Sequence, residues 1–205
     1  LVGSEMCIRD RMRNYDKILM TGAQGTGKTT LLKALQNEPE FDNWKFYTNV
    51  VRTMVEEEGI TINEEGTSES QKKIFDKYTQ IMEDAMKQPS ISDRCIIDVN
   101  AYTSWLFDNC SPKDPEYNNL AEEDFKEKRQ IVKRKYEFPL LVYLPITFRL
   151  QGDEVRSEDE EYQKEIDRKI KQIVDNYGIP YISVSGSTEE RVQQIKDAVF
   201  GKKED

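Results

Sequence analysis

Apolar positions along the chain alternate between short continuous runs and stripes with helical spacing. Residues 18–20 form an apolar run, a glycine-rich stretch follows at 22–27, and leucine or alanine then recurs at positions 31, 32, 34 and 35. A short run bounded by a turn is typical of a buried strand, whereas spacings of three and four are typical of a helix. The first part of the chain therefore predicts a strand, a loop and a helix in that order.

The same two patterns continue towards the C-terminus. Further strands are predicted at 45–50, at 91–93, at 139–144 with Phe138 included, and at 181–185. Helices are predicted from 51 to Gly59, from a capping box of Ser68 and Gln71 to Pro89, from 120 to 136, from a box of Ser157 and Glu160 to Gly178, and from a box of Ser187 and Glu190 onwards.

One segment has two interpretations. The apolar residues of 95–107 suit a helix that follows a strand ending near Asp93, or a separate strand over 95–99, and periodicity alone does not separate these alternatives. We favour the helix. Strands that alternate with helices then predict an α/β fold, in which a mostly parallel sheet is covered by helices on both faces.

Length and charge limit the classes of function. A chain of 205 residues is long enough for one well-buried domain, and it has no apolar run long enough to span a membrane. The 39 acidic and 30 basic residues give a net charge of -9, opposite to the field that attracts nucleic acid or an anionic bilayer. We therefore expect a cytoplasmic protein with a small-molecule partner, host-cytoplasmic if the source is viral, and a monomer or homodimer.

The residue inventory restricts the chemistry further. The chain has no histidine, which excludes histidine bases, histidine-dependent triads and histidine metal ligands. Its three cysteines form no C-x-x-C pair, so neither a disulfide framework nor a thiolate zinc site is indicated, and a reducing compartment fits. Catalysis must depend on carboxylates, lysine, arginine, hydroxyls and the backbone.

Residues 1–11 show neither helix nor strand periodicity and lack the pattern of a signal peptide. Residues 4–10 are similar to translated sequencing adapter, which would place the natural start at Met12. The alternative is a disordered native tail. Under either interpretation the folded domain covers 12–205.

Residues 22–29, GAQGTGKT, match the pattern G-x-x-x-x-G-K-[ST] at all four fixed positions. The glycines permit a tight loop whose amides point at phosphates, the lysine adds a point charge, and the threonine hydroxyl is a magnesium ligand. The motif lies between a predicted strand and a predicted helix, as this function requires. We expect a P-loop NTPase fold, a three-layer αβα sandwich, that binds ATP and Mg²⁺ through Gly22, Ala23, Gln24, Gly25, Thr26, Gly27, Lys28, Thr29 and Thr30.

Phosphoryl transfer also needs cations that hold anionic oxygens and a carboxylate that orients or deprotonates the attacking hydroxyl. Arg52 follows the second predicted strand, where the carboxyl ends of parallel strands open on the phosphate loop, and is a candidate acceptor clamp. Arg149 and Arg156 flank a polar loop after the strand at 139–144, as expected of a lid over about 146–157. A surface arginine and a plain surface loop are the alternatives.

Asp93 and Arg94 are adjacent at another strand end. If 95–107 is helical, Arg94, Asp98 and Tyr102 share one face. Asp93 is then the candidate general base or holds a magnesium-bound water, and a helix cap with a structural ion pair is the alternative. Under the strand interpretation Asp98 would be the carboxylate on the magnesium side.

The phosphate loop, the stretches 48–52 and 66–71, DRCIIDVNAY at 93–102 and GDEVRS at 152–157 together resemble the small AAA-ATPase-like P-loop kinases of tailed phages. These resemble nucleoside and nucleotide kinases, including thymidylate kinases and nicotinamide riboside kinase domains. The resemblance implies that Asp93 and Arg94 form an acceptor-site pair and that Arg156 is a lid arginine. The chain departs from the pattern because no apolar strand ending in aspartate precedes the lid.

These observations predict an ATP-dependent kinase with catalytic Lys28, Asp93, Arg94 and Arg156, with Arg52, Asp98, Tyr102 and Arg149 on the acceptor, and with Mg²⁺ held by Thr29 and Asp93. An insertion at about 50–90 would bind the acceptor, a nucleoside or nucleoside monophosphate. One alternative is a kinase of 5-hydroxymethyl pyrimidine, free or in DNA, in phage DNA hypermodification. Another is an NTPase switch or motor subunit.

Overall fold

The computed structural model describes residues 15–110, 117, 119–134, 139–147 and 159–201. Within these ranges the strands are β1 (Lys17–Thr21), β2 (Lys45–Tyr47), β3 (Ser90–Ser92), β4 (Leu140–Tyr143) and β5 (Tyr181–Ser183). The α-helices there are α1 (Lys28–Gln36), α2 (Val50–Glu58), α3 (Ser68–Ala85), α4 (Ile96–Asn109), α5 (Leu120–Arg134), α6 (Glu160–Tyr177) and α7 (Thr188–Phe200).

The five strands form one parallel sheet in the order β2-β3-β1-β4-β5. β1 lies at the centre and pairs with β3 on one side and β4 on the other. Because all strands point the same way, their carboxyl ends meet at one edge, where α/β sheets bind ligands.

Two apolar layers cover the sheet, which confirms the predicted αβα sandwich. Alternate residues of β1 point to opposite faces, so Ile18 and Met20 pack with α1 and α7, whereas Leu19 packs with the helices of the other face. All three side chains are at most 2% exposed. This burial on both faces is expected for the central strand of a parallel sheet.

The predicted end of β2 was wrong by three residues and the predicted start of α3 by one residue. The strand predicted at 45–50 ends at Tyr47, because Asn49 adopts a left-handed conformation with φ 55 and α2 begins at Val50. The capping box of α3 consists of Thr67 and Ser70, one residue before the predicted pair. Gln71, predicted to complete that box, is buried and its side chain contacts Thr103 instead.

The helix favoured for 95–107 is confirmed: α4 begins at Ile96, and Cys95 is its N-cap. Asp98 at the third position of this helix accepts a hydrogen bond from the backbone N–H of Cys95, which satisfies an amide that the helix leaves unpaired. The N-cap of α6 is Asp159, not Ser157. Gly178 ends α6 and the box of Ser187 and Glu190 begins α7, both as predicted.

The tail at 1–11, most of the proposed lid and Ser157 lie outside the described residues. The proposed acceptor-binding insertion corresponds to α2, a 3₁₀ turn at Asn63–Glu65, and α3. Within the described ranges, no helix combines the length and apolar character needed to cross a membrane.

Candidate active site

The loop after β1 is curled, as the motif predicts. Gly25 and Gly27 have φ values of 74 and 88, in the left-handed region that glycine enters without strain. Gly22 meets a second requirement, since a Cβ there would lie 2.5 Å from the backbone oxygen of Leu144. The loop can therefore pass this close to the end of β4 only with glycine at position 22.

The side chain of Lys28 lies inside this loop and stabilises its curled conformation. Its Nζ donates to the backbone oxygens of Gly22 at 2.6 Å and Ala23 at 2.5 Å, and it lies 3.1 Å from the hydroxyl oxygen of Thr26. α1 begins at this lysine, so the unpaired amides of its first turn and its dipole favour an anion at the same place. The arrangement can bind a polyphosphate.

A cavity of about 530 Å³ extends from this loop towards α2, α3 and α4. Such a volume is in the range of small-molecule sites. The predicted residues that line it are Gln24, Gly25, Thr26, Gly27, Lys28, Thr29, Thr30, Arg52, Asp93, Arg94, Asp98 and Tyr102. Gly22 and Ala23 lie in the loop without lining the cavity, and Arg149 and Arg156 lie outside the described residues.

Asp93 follows β3 and is 8% exposed. Its Oδ2 accepts a hydrogen bond of 3.0 Å from the backbone N–H of Asn49, whereas its Oδ1 is buried and has no partner. Burial raises the pKa of this carboxyl, and the Asn49 bond and the charges of Arg94 and Lys28 offset only part of the rise. A buried carboxylate oxygen without a partner at the cavity wall can accept a proton or a hydrogen bond from a ligand.

Asp98, unlike Asp93, has protein partners for both of its carboxylate oxygens. It is 1% exposed, and its Oδ1 accepts from the backbone N–H of Gly22 and from Arg94 Nη1, both at 3.3 Å. Its Oδ2 accepts from the N–H of Cys95 at 3.1 Å. Arg94 also lies over the ring of Tyr102, 5.4 Å from its centroid, so the predicted common face of Arg94, Asp98 and Tyr102 is present. Asp98 connects the phosphate loop to α4.

Comparison with known proteins places the chain in a family. A family model described as an AAA domain matches residues 17–191. The chain belongs to the AAA domain family. A search of curated proteins found no match to this AAA domain.

Solved structures share the fold of this AAA domain. NadR in complex with NAD and AMP-PNP superposes with a TM-score of 0.68 and 14% identity, over 94% of this chain and 51% of NadR. The chain thus spans about half the length of NadR. Deoxyadenosine kinase from M. mycoides with bound dATP superposes with a TM-score of 0.62 and 16% identity, over 90% of this chain and 98% of the kinase. Thymidylate kinase from Candida albicans superposes with a TM-score of 0.62 and 14% identity, over 90% of each chain. The comparisons confirm the predicted AAA-type family and the predicted fold.

Sequence patterns missed Arg191, on α7 of this AAA domain. It is 3% exposed, and its guanidinium donates to the backbone oxygens of Thr26 and Gly186, each at 3.1 Å, and to the hydroxyl of Thr147 at 2.9 Å. It thereby joins the phosphate loop, the turn before α7 and the segment after β4. No local motif could identify it, because Thr26 and Thr147 are distant from it in sequence.

Two further cavity residues were also missed. Asn49 caps α2 in its left-handed conformation and gives its N–H to Asp93. Tyr78, on α3, is 1% exposed and its hydroxyl has no partner. The sequence pattern places Tyr78 in the apolar stripe of α3, so its position suggested only a core residue.

A buried polar network lies behind the cavity, between α3, α4 and α5. Glu127 is fully buried and accepts from Asn100 Nδ2 at 3.2 Å and from Thr103 Oγ1 at 3.1 Å. Thr103 Oγ1 is also 3.2 Å from Gln71 Oε1, and Gln71 lines the cavity. Burial raises the pKa of Glu127 to about 8, and the nearby charges of Asp124 and Glu123 add to the rise.

The residues present fit a magnesium ion held partly by its substrate. Thr29 and Asp93 line one cavity, and Asp93 keeps an oxygen without a protein partner. Among the described residues, no group of three or more carboxylates or thiols could hold a metal alone. Mg²⁺ in phosphotransferases is usually bound by one or two protein oxygens together with substrate phosphates.

Proposed function

We propose that this protein is an ATP-dependent kinase that transfers the γ-phosphoryl group to a nucleoside or nucleoside monophosphate. The observation that carries the proposal is that the curled loop with Lys28 and the partnerless oxygen of Asp93 face one cavity. A buried carboxylate at this position can orient an attacking hydroxyl as well as hold a magnesium-bound water.

On the donor side, the loop amides and Lys28 hold the β- and γ-phosphates of ATP. Thr29 and Asp93 are the candidate residues to hold Mg²⁺, Asp93 through a bound water, and the ion would neutralise charge that develops on the phosphate oxygens. Arg191 fixes the carbonyl of Thr26 and so keeps the loop in its curled form. This arrangement supplies preorganised charge, which is the main requirement of phosphoryl transfer.

On the acceptor side, Asp93 orients or deprotonates the attacking hydroxyl, and Arg94 and Arg52 supply positive charge along the cavity wall. Engagement of both Asp98 oxygens supports Asp93 as the key carboxylate and Asp98 as a positioning residue. Tyr102 also lines the cavity, and its hydroxyl donates a hydrogen bond to Gln24 Oε1 at 3.0 Å. Arg149 and Arg156 remain the candidate lid arginines.

The names of the solved structures support the proposal of a kinase. Their names describe a complex with AMP-PNP for NadR, and deoxyadenosine kinase and thymidylate kinase for the others. At identities of 14% to 16% they support the fold, so the acceptor must be found by experiment.

The test is transfer of label from γ-labelled ATP with magnesium to a panel of nucleosides, nucleotides and 5-hydroxymethyl pyrimidine compounds, free and in DNA. We expect a labelled small-molecule acceptor. Production of ADP and free phosphate with no labelled acceptor would instead support the NTPase switch.

Lys28→Ala should reduce transfer by about 100-fold or more, since it removes a positioned charge from the transferring group. Lys33→Ala is the matched control, because Lys33 is exposed on the same helix. The Lys28 variant also abolishes hydrolysis by a switch, so the identity of the product, and not this variant, separates the two functions.

A further inference from the structure

Two buried polar atoms without a protein partner belong to side chains on the acceptor side of the cavity. These are Asp93 Oδ1 and the hydroxyl oxygen of Tyr78. Asp93 is 8% exposed and Tyr78 is 1% exposed. Gln24 Nε2, on the phosphate-loop side of the same cavity, is a third such atom. Buried polar atoms are almost always hydrogen-bonded, so these atoms indicate groups that a ligand completes.

The two atoms need hydrogen-bond partners of opposite kinds, a donor for Asp93 Oδ1 and an acceptor for the Tyr78 hydroxyl. The carboxylate oxygen of Asp93 can only accept a hydrogen bond, so the ligand must donate to it. Burial raises the pKa of Tyr78 well above its usual value, and the charge of Asp93 adds to the rise, so its hydroxyl keeps its proton and can donate. A ligand with hydroxyl groups satisfies both, because each hydroxyl donates one hydrogen bond and accepts others.

The charges next to Asp93 disfavour a second phosphate there. Lys28 and Arg191 are bonded to the phosphate loop, and Arg94 pairs with Asp98 at 3.3 Å. Arg52 on α2 is a further cation on the cavity wall, so the repulsion concerns the position beside Asp93. A phosphate dianion beside Asp93 would place like charges together in a poorly solvated space, which is costly. The apolar side chains of Val50, Ile74 and Val99 on the same cavity suit an uncharged ring system.

We propose that the acceptor is an uncharged polyhydroxyl compound, a nucleoside and not a nucleotide, whose hydroxyls bind Asp93 Oδ1 and Tyr78. This inference rests on the proposed kinase function. In the transfer step the acceptor O–H bond breaks and its proton passes to Asp93. The acceptor oxygen bonds to the γ-phosphorus, the bond from that phosphorus to the β,γ-bridging oxygen breaks, and ADP leaves.

The first experiment compares nucleosides with their own 5′-monophosphates as acceptors of label from ATP, using the full chain and mass spectrometry of the products. We expect kcat/KM for the nucleosides to exceed that for the monophosphates by about 100-fold or more. Equal or preferential use of the monophosphates would overturn this inference and leave the kinase function standing. Hydrolysis of ATP with neither acceptor labelled would overturn both.

The second experiment removes the Tyr78 hydroxyl with Tyr78→Phe. We expect KM for the nucleoside to rise by about 10-fold, the equivalent of one hydrogen bond, while the affinity for ATP changes less than about two-fold. Tyr162→Phe is a matched control, because the Tyr162 hydroxyl is also buried without a partner but does not line the cavity. An unchanged KM in a folded Tyr78→Phe protein, or an equal rise in the control, would remove Tyr78 from the site.

Discussion

The backbone N–H of Gly22 donates a hydrogen bond to Asp98 Oδ1 at 3.3 Å, although 76 positions separate the two residues. The same carboxylate holds Arg94 and caps the start of α4. One buried side chain thus fixes the first glycine of the phosphate loop relative to the helix that carries the candidate acceptor residues. The geometry of donor and acceptor sites is coupled through it.

Asp98→Asn should weaken this coupling. The amide keeps one acceptor oxygen but loses the charge that pairs with Arg94, so we expect the free energy of unfolding to fall by about 1–3 kcal/mol and ATP to bind about 10-fold more weakly. Urea denaturation and calorimetry measure the two effects. Asp84→Asn, at an exposed pair with Lys87, should change neither. Wild-type ATP affinity in the Asp98 variant would show that the loop does not depend on this carboxylate.

The pH dependence of transfer should reveal Asp93. A base must be ionised, and burial raises the pKa of Asp93, so kcat/KM should fall on the acid side through a pKa higher than that of an exposed aspartate. Asp93→Asn should lower the rate by about 100-fold or more and abolish this acid limb, with ATP affinity retained.

Asp76→Asn, an exposed change on α3, is the control for the Asp93 experiment and should keep both the rate and the acid limb. An Asp93→Asn enzyme that transfers phosphoryl groups at the wild-type rate would exclude Asp93 from the mechanism.

Arg191→Ala should impair ATP binding more than chemistry. It leaves the carbonyl of Thr26 without its charged donor, and hydrogen bonds to charged groups contribute about 1.5–3 kcal/mol, which corresponds to roughly 10- to 100-fold in affinity. We expect KM for ATP to rise by that factor and kcat to change little. Initial-rate kinetics measure both, and Gln193→Ala, exposed on the same helix, should behave as wild type. A change confined to kcat would contradict this role.

The buried carboxyl of Glu127 should make the protein less stable as pH rises through the neutral range. Its pKa is about 8 in the folded protein against 4.5 normally, so between these values the folded state holds a proton that the unfolded chain releases. The free energy of unfolding therefore falls as pH rises from about 4.5 to about 8, with a slope of up to about 1.4 kcal/mol per pH unit.

Glu127→Gln should flatten this slope and raise stability at pH 8 relative to wild type, as measured by denaturation at several pH values. Glu122→Gln, at an exposed position of the same helix, should keep the wild-type slope. A slope that persists in the Glu127 variant would assign it to other groups.

The phosphate loop could be predicted from sequence because its signal is local. Glycines at 22 and 27, a lysine and a threonine occupy fixed spacings between an apolar run and a helical stripe, and the structure confirms that geometry. The common face of Arg94, Asp98 and Tyr102 was also predictable, since helical spacing determines it once the helix is assumed.

Arg191 and Tyr78 could not be predicted, because their roles arise from contacts between distant segments. The partners of Arg191 lie on three different segments, and Tyr78 fits a core stripe as well as a cavity wall. The end of β2 was misplaced for a related reason. Thr48 and Val50 have strand propensity, but the bond between Asn49 and Asp93 favours a turn there.

The central position of β1 has an evolutionary consequence. Asn49, Tyr78 and Asp93 all lie within 49–93 on the β3 side of β1, whereas Thr147, Gly186 and Arg191 lie within 147–191 on the β4 side. One contiguous part of the gene, for 49–93, therefore encodes the cavity wall on the acceptor side. Another, for 147–191, encodes the residues that support the phosphate loop. Replacement of the 49–93 part by that of a related gene, with one crossover on each side, would exchange acceptor preference while keeping the phosphate loop at 22–29 and Arg191.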